Sequence, residues 1–159
     1  MHNFGKDMEL YIMRHAQAEP SCPSGQDIDR NLTENGLKQA NVIGQFIKNS
    51  HWEIQHILYS PANRAKETAL QVYMALKNKP SLSTIDEMYM SPPTSTIFEY
   101  FRKYQKLLIV GHNPFVSNLT FSLTGKTEIN FYTATIYKLE GDPQIEDKFS
   151  ICDFHHVRP

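Results

Sequence analysis

Strand and helix patterns alternate along most of this chain, and the alternation predicts an α/β protein: a three-layer α/β/α sandwich with a mostly parallel central sheet, folded as a single compact domain. Three observations carry that prediction. The segments ELYIMR (9–14) and KLLIVG (106–111) are apolar almost throughout, as strands covered on both faces must be. Other stretches carry apolar residues three and four apart, the period of an amphipathic helix. The length, 159 residues, suits one domain able to bury most of its apolar surface.

In order, residues 1–7 read as a short N-terminal tail and 8–159 as the domain. After the first strand, AEPSCPSGQDIDRN (18–31) is a loop by its Pro, Ser and Asp content. In LTENGLKQANVIGQFIKN (32–49), Thr33 caps a helix and Leu37, Ala40, Gly44 and Ile47 fall along one face. HILYS (56–60) is a short strand. The next helix, SPANRAKETALQVYMALKN (60–78), is expected to start with Ser60 as cap and Pro61 at its first position, burying Ala65, Ala69, Val72 and Leu76. SLSTID (81–86) reads as a third strand and TSTIFEYFRKY (94–104) as a third helix. After KLLIVG, Asn113 and Pro114 open a helix that turns Phe115, Leu119 and Leu123 to one side and stops at Gly125. TATIYKLE (133–140) and DKFSICDF (147–154) alternate like a final strand pair around the turn signal GDP.

Composition narrows function by exclusion. A formal net charge of −1 leaves no global basicity for nucleic acid. No stretch approaches the roughly 18 apolar residues of a membrane span. The opening MHNFGKDMELYIM has no apolar core and is not read as a secretory signal. Two cysteines, Cys22 and Cys152, make no disulfide framework, which favours a reduced, cytoplasmic protein.

Any anion site must therefore be local, and the strand ends supply one. In open α/β sheets the ligand crevice lies beyond the carboxyl ends of the strands. Arg14 and His15 end the first strand, and Arg64 occupies the first turn of the helix after HILYS, leaning back toward the crevice. His112 follows KLLIVG at a strand-to-helix junction, beside the positive end of a helix. No acidic residue accompanies these four on the strand ends, so the cluster repels itself unless an anion fills it. Phosphate matches guanidinium forks and free helix N–H groups. A neutral histidine among those cations is a nucleophile toward phosphorus, and the arginines spread the charge of the phosphoryl group in flight. Phosphoryl transfer through a covalent phosphohistidine, requiring no metal or other cofactor, is the predicted reaction class. Which nitrogen of His15 attacks depends on a hydrogen bond from the other, expected to reach a backbone carbonyl.

MRHA, SPANRAKET and VGHNP, in that order, resemble the motifs RHG, SPxxRAxxT and GH of the histidine phosphatase superfamily, the phosphoglycerate-mutase-like proteins. DRNLTENG resembles the RPLTxxG stretch of its short SixA-type phosphohistidine phosphatases, and the likeness runs from about Met8 to Val116. The resemblance implies that His15 is the nucleophile, that Arg14, Arg64 and His112 complete the phosphate pocket, and that Arg30 borders it. Ala16 stands where the family has glycine; the pocket is expected to survive, with strain only if that residue must take positive φ. The family's proton donor has a candidate in Glu87. Imidazole leaves phosphorus far more easily than an alkoxide, so a phosphoramidate needs little help from an acid.

The function predicted is hydrolysis of phosphohistidine on a protein partner, such as a phosphohistidine-containing phosphotransfer domain. The chain lacks the long insertions with which sugar-phosphate members of the family close over small substrates. The alternative is a phosphatase of a small phosphomonoester, a sugar phosphate or nucleotide; a non-catalytic phosphate-binding module is a third possibility. Each site residue alone has an ordinary explanation: an ion pair of Arg64 with Glu67 or Asp86, a helix cap for His112. Cys152, Asp153, His155 and His156 invite a metal site but read as a frayed C-terminus. Phe98, Tyr100, Phe101 and Tyr104 read as core with one ring toward solvent, and Met88 and Met90 as packing or cleft lining.

Overall fold

The computed structural model describes residues 7–90, 92–144 and 149–159, the Met90 side chain excepted, so the expected tail lies outside the described residues but for Asp7. Strands β1 (Met8–Arg14), β2 (His56–Tyr59), β3 (Ser81–Thr84), β4 (Lys106–Gly111), β5 (Thr135–Gly141) and β6 (Ser150–His156) form one sheet. Their order is β3-β2-β4-β1-β5-β6. The first four run parallel; β5 is antiparallel to β1, and β6 to β5. The sheet is thus mostly parallel but mixed.

Period-two alternation sends each central strand's side chains to both faces. Leu10, Ile12, Leu107 and Ile109 pack with residues of α4 (Ser95–Lys103) and α5 (Phe115–Thr124). Tyr11, Met13, Leu108 and Val110 pack with α1 (Glu34–Asn49) and α2 (Asn63–Ala75) on the other face. All eight are fully enclosed, which is why these strands read as unbroken apolar runs and why three layers form. At the start of α1 the Thr33 hydroxyl accepts the Gly36 N–H at 2.8 Å, the expected cap. A Cβ at Gly36 would overlap the Gln17 carbonyl oxygen, so only glycine lets α1 approach the loop that follows β1 this closely.

Several boundaries differ from expectation for tertiary reasons. Helix α2 starts at Asn63 after an extended Ala62, not at Ser60 and Pro61. The Ser60 hydroxyl is engaged with the His112 ring at 2.6 Å and does not cap α2. The same helix ends at Ala75, and β3 stops at Thr84. Pro114 is the residue before α5 and not its first turn. Strand β5 begins at Thr135 because Ala134, at φ 56°, turns its N–H onto the His15 carbonyl at 3.0 Å. The C-terminal histidines are not frayed: both end β6, where His155 stacks on Phe46 at 4.1 Å and His156 Nδ1 meets the Thr135 hydroxyl at 2.8 Å. Residues 147–148 of that predicted strand lie outside the described residues. Two short elements had no periodic signal, a 3-10 turn at Asp27–Asp29 and α3 (Glu87–Met90). Met88 is core packing, and Phe98, Tyr100, Phe101 and Tyr104 all pack against the α4/α5 core, none of them fully exposed.

Candidate active site

Strand order brings the three predicted strand ends side by side. Because β4 lies between β2 and β1, with Gly111 opposite Arg14 and Val110 opposite Tyr59, the residues that follow converge: His15, His112 and Ser60. His15 and His112 open into a cleft of about 380 Å³ lined by Arg14, His15, Gln17, Arg30, Arg64 and His112 among others, with Ser60 buried behind His112. Five of the six site residues expected from the sequence therefore meet in one cleft. The sixth, Glu87, is the first residue of α3 and is not among those lining it; its Oε2 is enclosed without a partner among the described residues.

The imidazole of His15 is 6% exposed. Its Nδ1 lies 2.7 Å from the carbonyl oxygen of Ala16. A carbonyl can only accept, so Nδ1 carries the hydrogen and Nε2 is the bare nitrogen of the neutral ring. Burial, with His112, Arg64 and Arg14 adding repulsion, lowers the His15 pKa from 6.5 to about 3. The ring is therefore neutral across the physiological range. His112 is edge-on to it at 5.2 Å between centroids and is lowered to about 4, mainly by burial and then by Arg64.

The arginines are fixed from behind. Arg14 donates to the Phe131 carbonyl at 3.0 Å, and Asn113 donates to the same oxygen at 3.0 Å. Arg64, 6% exposed, donates to the Asp27 backbone carbonyl at 2.8 Å and to Asp27 Oδ2 at 2.9 Å. Arg30 donates from Nε to Asp27 Oδ1 at 3.0 Å and from a terminal nitrogen to the Glu19 carbonyl. Arg14 Nε, Arg64 Nε and His112 Nδ1 are buried with no partner among the described residues. The two arginine Nε–H groups are unmet buried donors beside a cationic cleft, and an oxyanion would satisfy them.

Asp27 is the residue sequence reasoning missed, together with Tyr89, whose hydroxyl donates to Asp27 Oδ2 at 2.6 Å. Arg64 is paired with Asp27, not with Glu67 or Asp86. The only local hint was the spacing of Asp27 and Arg30, three apart in a loop. Hydrogen bonds from Tyr89, Arg64 and Arg30 hold the Asp27 carboxyl well below its usual range, and the bond to Asp27 raises Tyr89.

The loop behind His15 is clamped by α1. Gln17 receives Thr33 on both its backbone and side-chain oxygens, and its N–H goes to Gln39 Oε1 at 2.9 Å. That clamp gives LTENG its role. Ala16 is not at positive φ, a conformation held among described non-glycine residues only by His51 and Ala134. Its methyl is buried with Leu32, Ala40 and Ala134, and its N–H donates to the Thr68 hydroxyl at 3.1 Å. The alanine is thus accommodated without strain.

The profile of the Histidine phosphatase superfamily (branch 1) matches residues 10–90, which is 81 of 159 and just over half the chain. The chain belongs to the histidine phosphatase superfamily. Phosphohistidine phosphatase SixA of Escherichia coli (strain K12) is 27% identical over 135 residues, covering 81% of this chain and 83% of that protein. The solved protein histidine phosphatase SixA, complexed with tungstate, has a TM-score of 0.83 at 24% identity and covers 94% of this chain and 97% of its own. A phosphoserine phosphatase from Entamoeba histolytica, solved with 3-phosphoglyceric acid, has a TM-score of 0.68 at 15% identity over 94% of this chain and 98% of that one. This protein is a phosphatase of that superfamily, and the fold serves chemically different substrates among its members.

Proposed function

We propose that the protein hydrolyses phosphohistidine on a partner protein by taking the phosphoryl group onto its own His15. The observation that carries this reading is the His15 ring itself: Nδ1–H is tied to the Ala16 carbonyl, and neutral Nε2 stands at a cleft lined by Arg14, Arg64 and His112. Nε2 attacks phosphorus as the bond from phosphorus to the substrate nitrogen breaks, and that bond's electron pair stays on the leaving imidazole. Arg14, Arg64 and His112 donate to the phosphoryl oxygens, with Arg30 at the border. Water then attacks the phosphorus on His15; the P–N pair returns to Nε2, Nδ1 keeps its hydrogen on Ala16, and one water proton goes to phosphate or solvent. Glu87, outside the cleft lining, is assigned to proton donation only where the leaving atom is oxygen. A phosphohistidine presented on the surface of a phosphotransfer domain suits a cleft beside which α3, only four residues long, packs through Tyr89 against His112. Such relays, and two free cysteines, suit the cytoplasm.

The test is turnover of phosphoramidate and of p-nitrophenyl phosphate in EDTA, by wild type and His15→Ala. Preference for the phosphoramidate, reduced at least about 1000-fold in the variant, is expected. A preference for the ester would favour a small-phosphomonoester phosphatase, and phosphate binding without turnover of either would leave a binding module.

A further inference from the structure

We propose that Asp27 determines specificity for nitrogen leaving groups, by accepting the N–H of the departing imidazole; this rests on the function proposed above. The puzzle is a carboxylate beside an anion site: Asp27 lies just outside the residues lining the cleft and is bonded to two that line it. Asp27 holds two of the three arginines that line the cleft, Arg64 through Oδ2 at 2.9 Å and Arg30 through Oδ1 at 3.0 Å. A negative charge there opposes phosphate binding, and scaffolding Arg64 does not require it, because the Asp27 backbone carbonyl already holds Arg64 at 2.8 Å. The charge needs another use.

Its remaining hydrogen-bonding capacity indicates one. An ionised carboxylate offers about four acceptor positions. Arg64 and Tyr89 take two on Oδ2, and Arg30 takes one on Oδ1. The second position on Oδ1 has no partner among the described residues, and the side chain is 53% exposed. Asp27 is also unsuited to give a proton. Three donors hold it ionised, so it can accept an N–H and cannot serve as an acid for an alkoxide.

The two kinds of leaving group need opposite things. An alkoxide must receive a proton. A phosphorylated imidazole leaves as a neutral ring only if its other nitrogen already bears hydrogen. That protonated ring is cationic while attached to phosphorus, and a carboxylate beside it keeps the hydrogen in place. As His15 Nε2 bonds to phosphorus, the P–N electron pair passes to the ring nitrogen; the hydrogen on the far nitrogen stays there, held on Oδ1. No proton moves in the step. Tyr89 is a positioning residue in this arrangement: its hydroxyl fixes Oδ2, and its ring lies 5.8 Å from that of His112.

The experiment compares wild type, Asp27→Asn and Asp27→Ala on free phosphohistidine and on p-nitrophenyl phosphate, with the inhibition constant of inorganic phosphate measured in each. Removing the charge should act in opposite directions. Phosphate should bind severalfold tighter, while kcat/KM for phosphohistidine falls at least about tenfold further than for the ester. Unchanged phosphohistidine turnover would overturn the proposal. So would equal losses on both substrates with weaker phosphate binding, since Asp27 would then only hold Arg64. Tyr89→Phe should shift the phosphohistidine-to-ester ratio in the same direction by a smaller factor, and no shift counts against the arrangement. If wild type hydrolyses the ester and not phosphohistidine, the proposed function itself fails, which is distinct from any result with the variants.

Discussion

Two sites on the same sheet bury histidine and use it differently. His56 opens β2 and is 3% exposed; His112 follows β4 and is 5% exposed. Burial lowers both to about 4. By enclosure and proton affinity the two are alike. Their hydrogen bonding is not. His56 is bonded on both nitrogens, to Ser81 and Ser83 at 2.6 Å each, and is stacked on Tyr104 at 4.3 Å. His112 has Nε2 on Ser60 and leaves Nδ1 buried with no partner among the described residues, as are Nε of Arg14 and Nε of Arg64. A perturbed pKa alone therefore does not mark function. Unmet hydrogen-bonding capacity on residues that line a charged cleft is what separates the two sites, because a satisfied group has nothing left to offer a ligand.

That contrast can be broken or sharpened by measurement. The largest effect after loss of His15 itself is expected on the cleft side. Arg64→Ala should lower kcat/KM by about 100- to 1000-fold, as when one donor to a developing oxyanion is removed, with a smaller change in unfolding midpoint. His56→Phe should do the reverse. It removes the bonds to Ser81 and Ser83, whose hydroxyls keep the Gln55 carbonyl and the Tyr100 hydroxyl as partners, at about 0.5–1.5 kcal/mol of stability for each bond lost, read from urea unfolding, while kcat/KM stays within about twofold. Comparable activity losses in both variants would erase the distinction between the sites.

The smallest effect concerns pH. His15, His112 and His56 all titrate below their ordinary 6.5 when folded, so the unfolded chain takes up protons first. Their contribution to stability is full above about pH 6.5 and is lost as pH falls through about 4 toward 3. Sulfate, whose charge is constant from pH 7 to 5, should restore stability at pH 5 more than at pH 7, by on the order of 1 kcal/mol. An anion in the cleft favours charged His15 and His112 and does not reach His56. The extra increment should persist in His56→Phe and shrink in His15→Ala; urea midpoints at the two pH values decide it.

Much of the architecture was legible because it is written in local periodicity. Unbroken apolar runs located β1 and β4, and helical spacing picked the buried residues Ala65, Ala69 and Val72 of α2. The Thr33 cap was legible for the same reason, since cap and capped N–H lie three residues apart. Ser60 is no cap of α2 because its hydroxyl bonds His112, 52 residues away, and locally receives only the Ala62 N–H at 3.3 Å, before the helix begins. DKFSICDF reads as a strand, but His155 and His156 beyond it read as a frayed end, because the polar residues that finish an edge strand resemble a disordered tail in composition. The order of β6 comes from pairing with β5 and from the packing of Phe46 against His155.

The sequence by itself determined which residues stand at the strand ends: Arg14 and His15 after β1, Arg64 at the start of α2, His112 after β4. Each placement follows from where an apolar run stops, which is local information. Only the tertiary structure decided that β4 lies between β2 and β1, so that these ends share one cleft. It also decided that His15 Nδ1 faces a carbonyl and that Asp27 joins Arg64 across 37 residues. Orientation, burial and long-range charge pairing depend on distances in space, and local sequence spacing does not encode those distances.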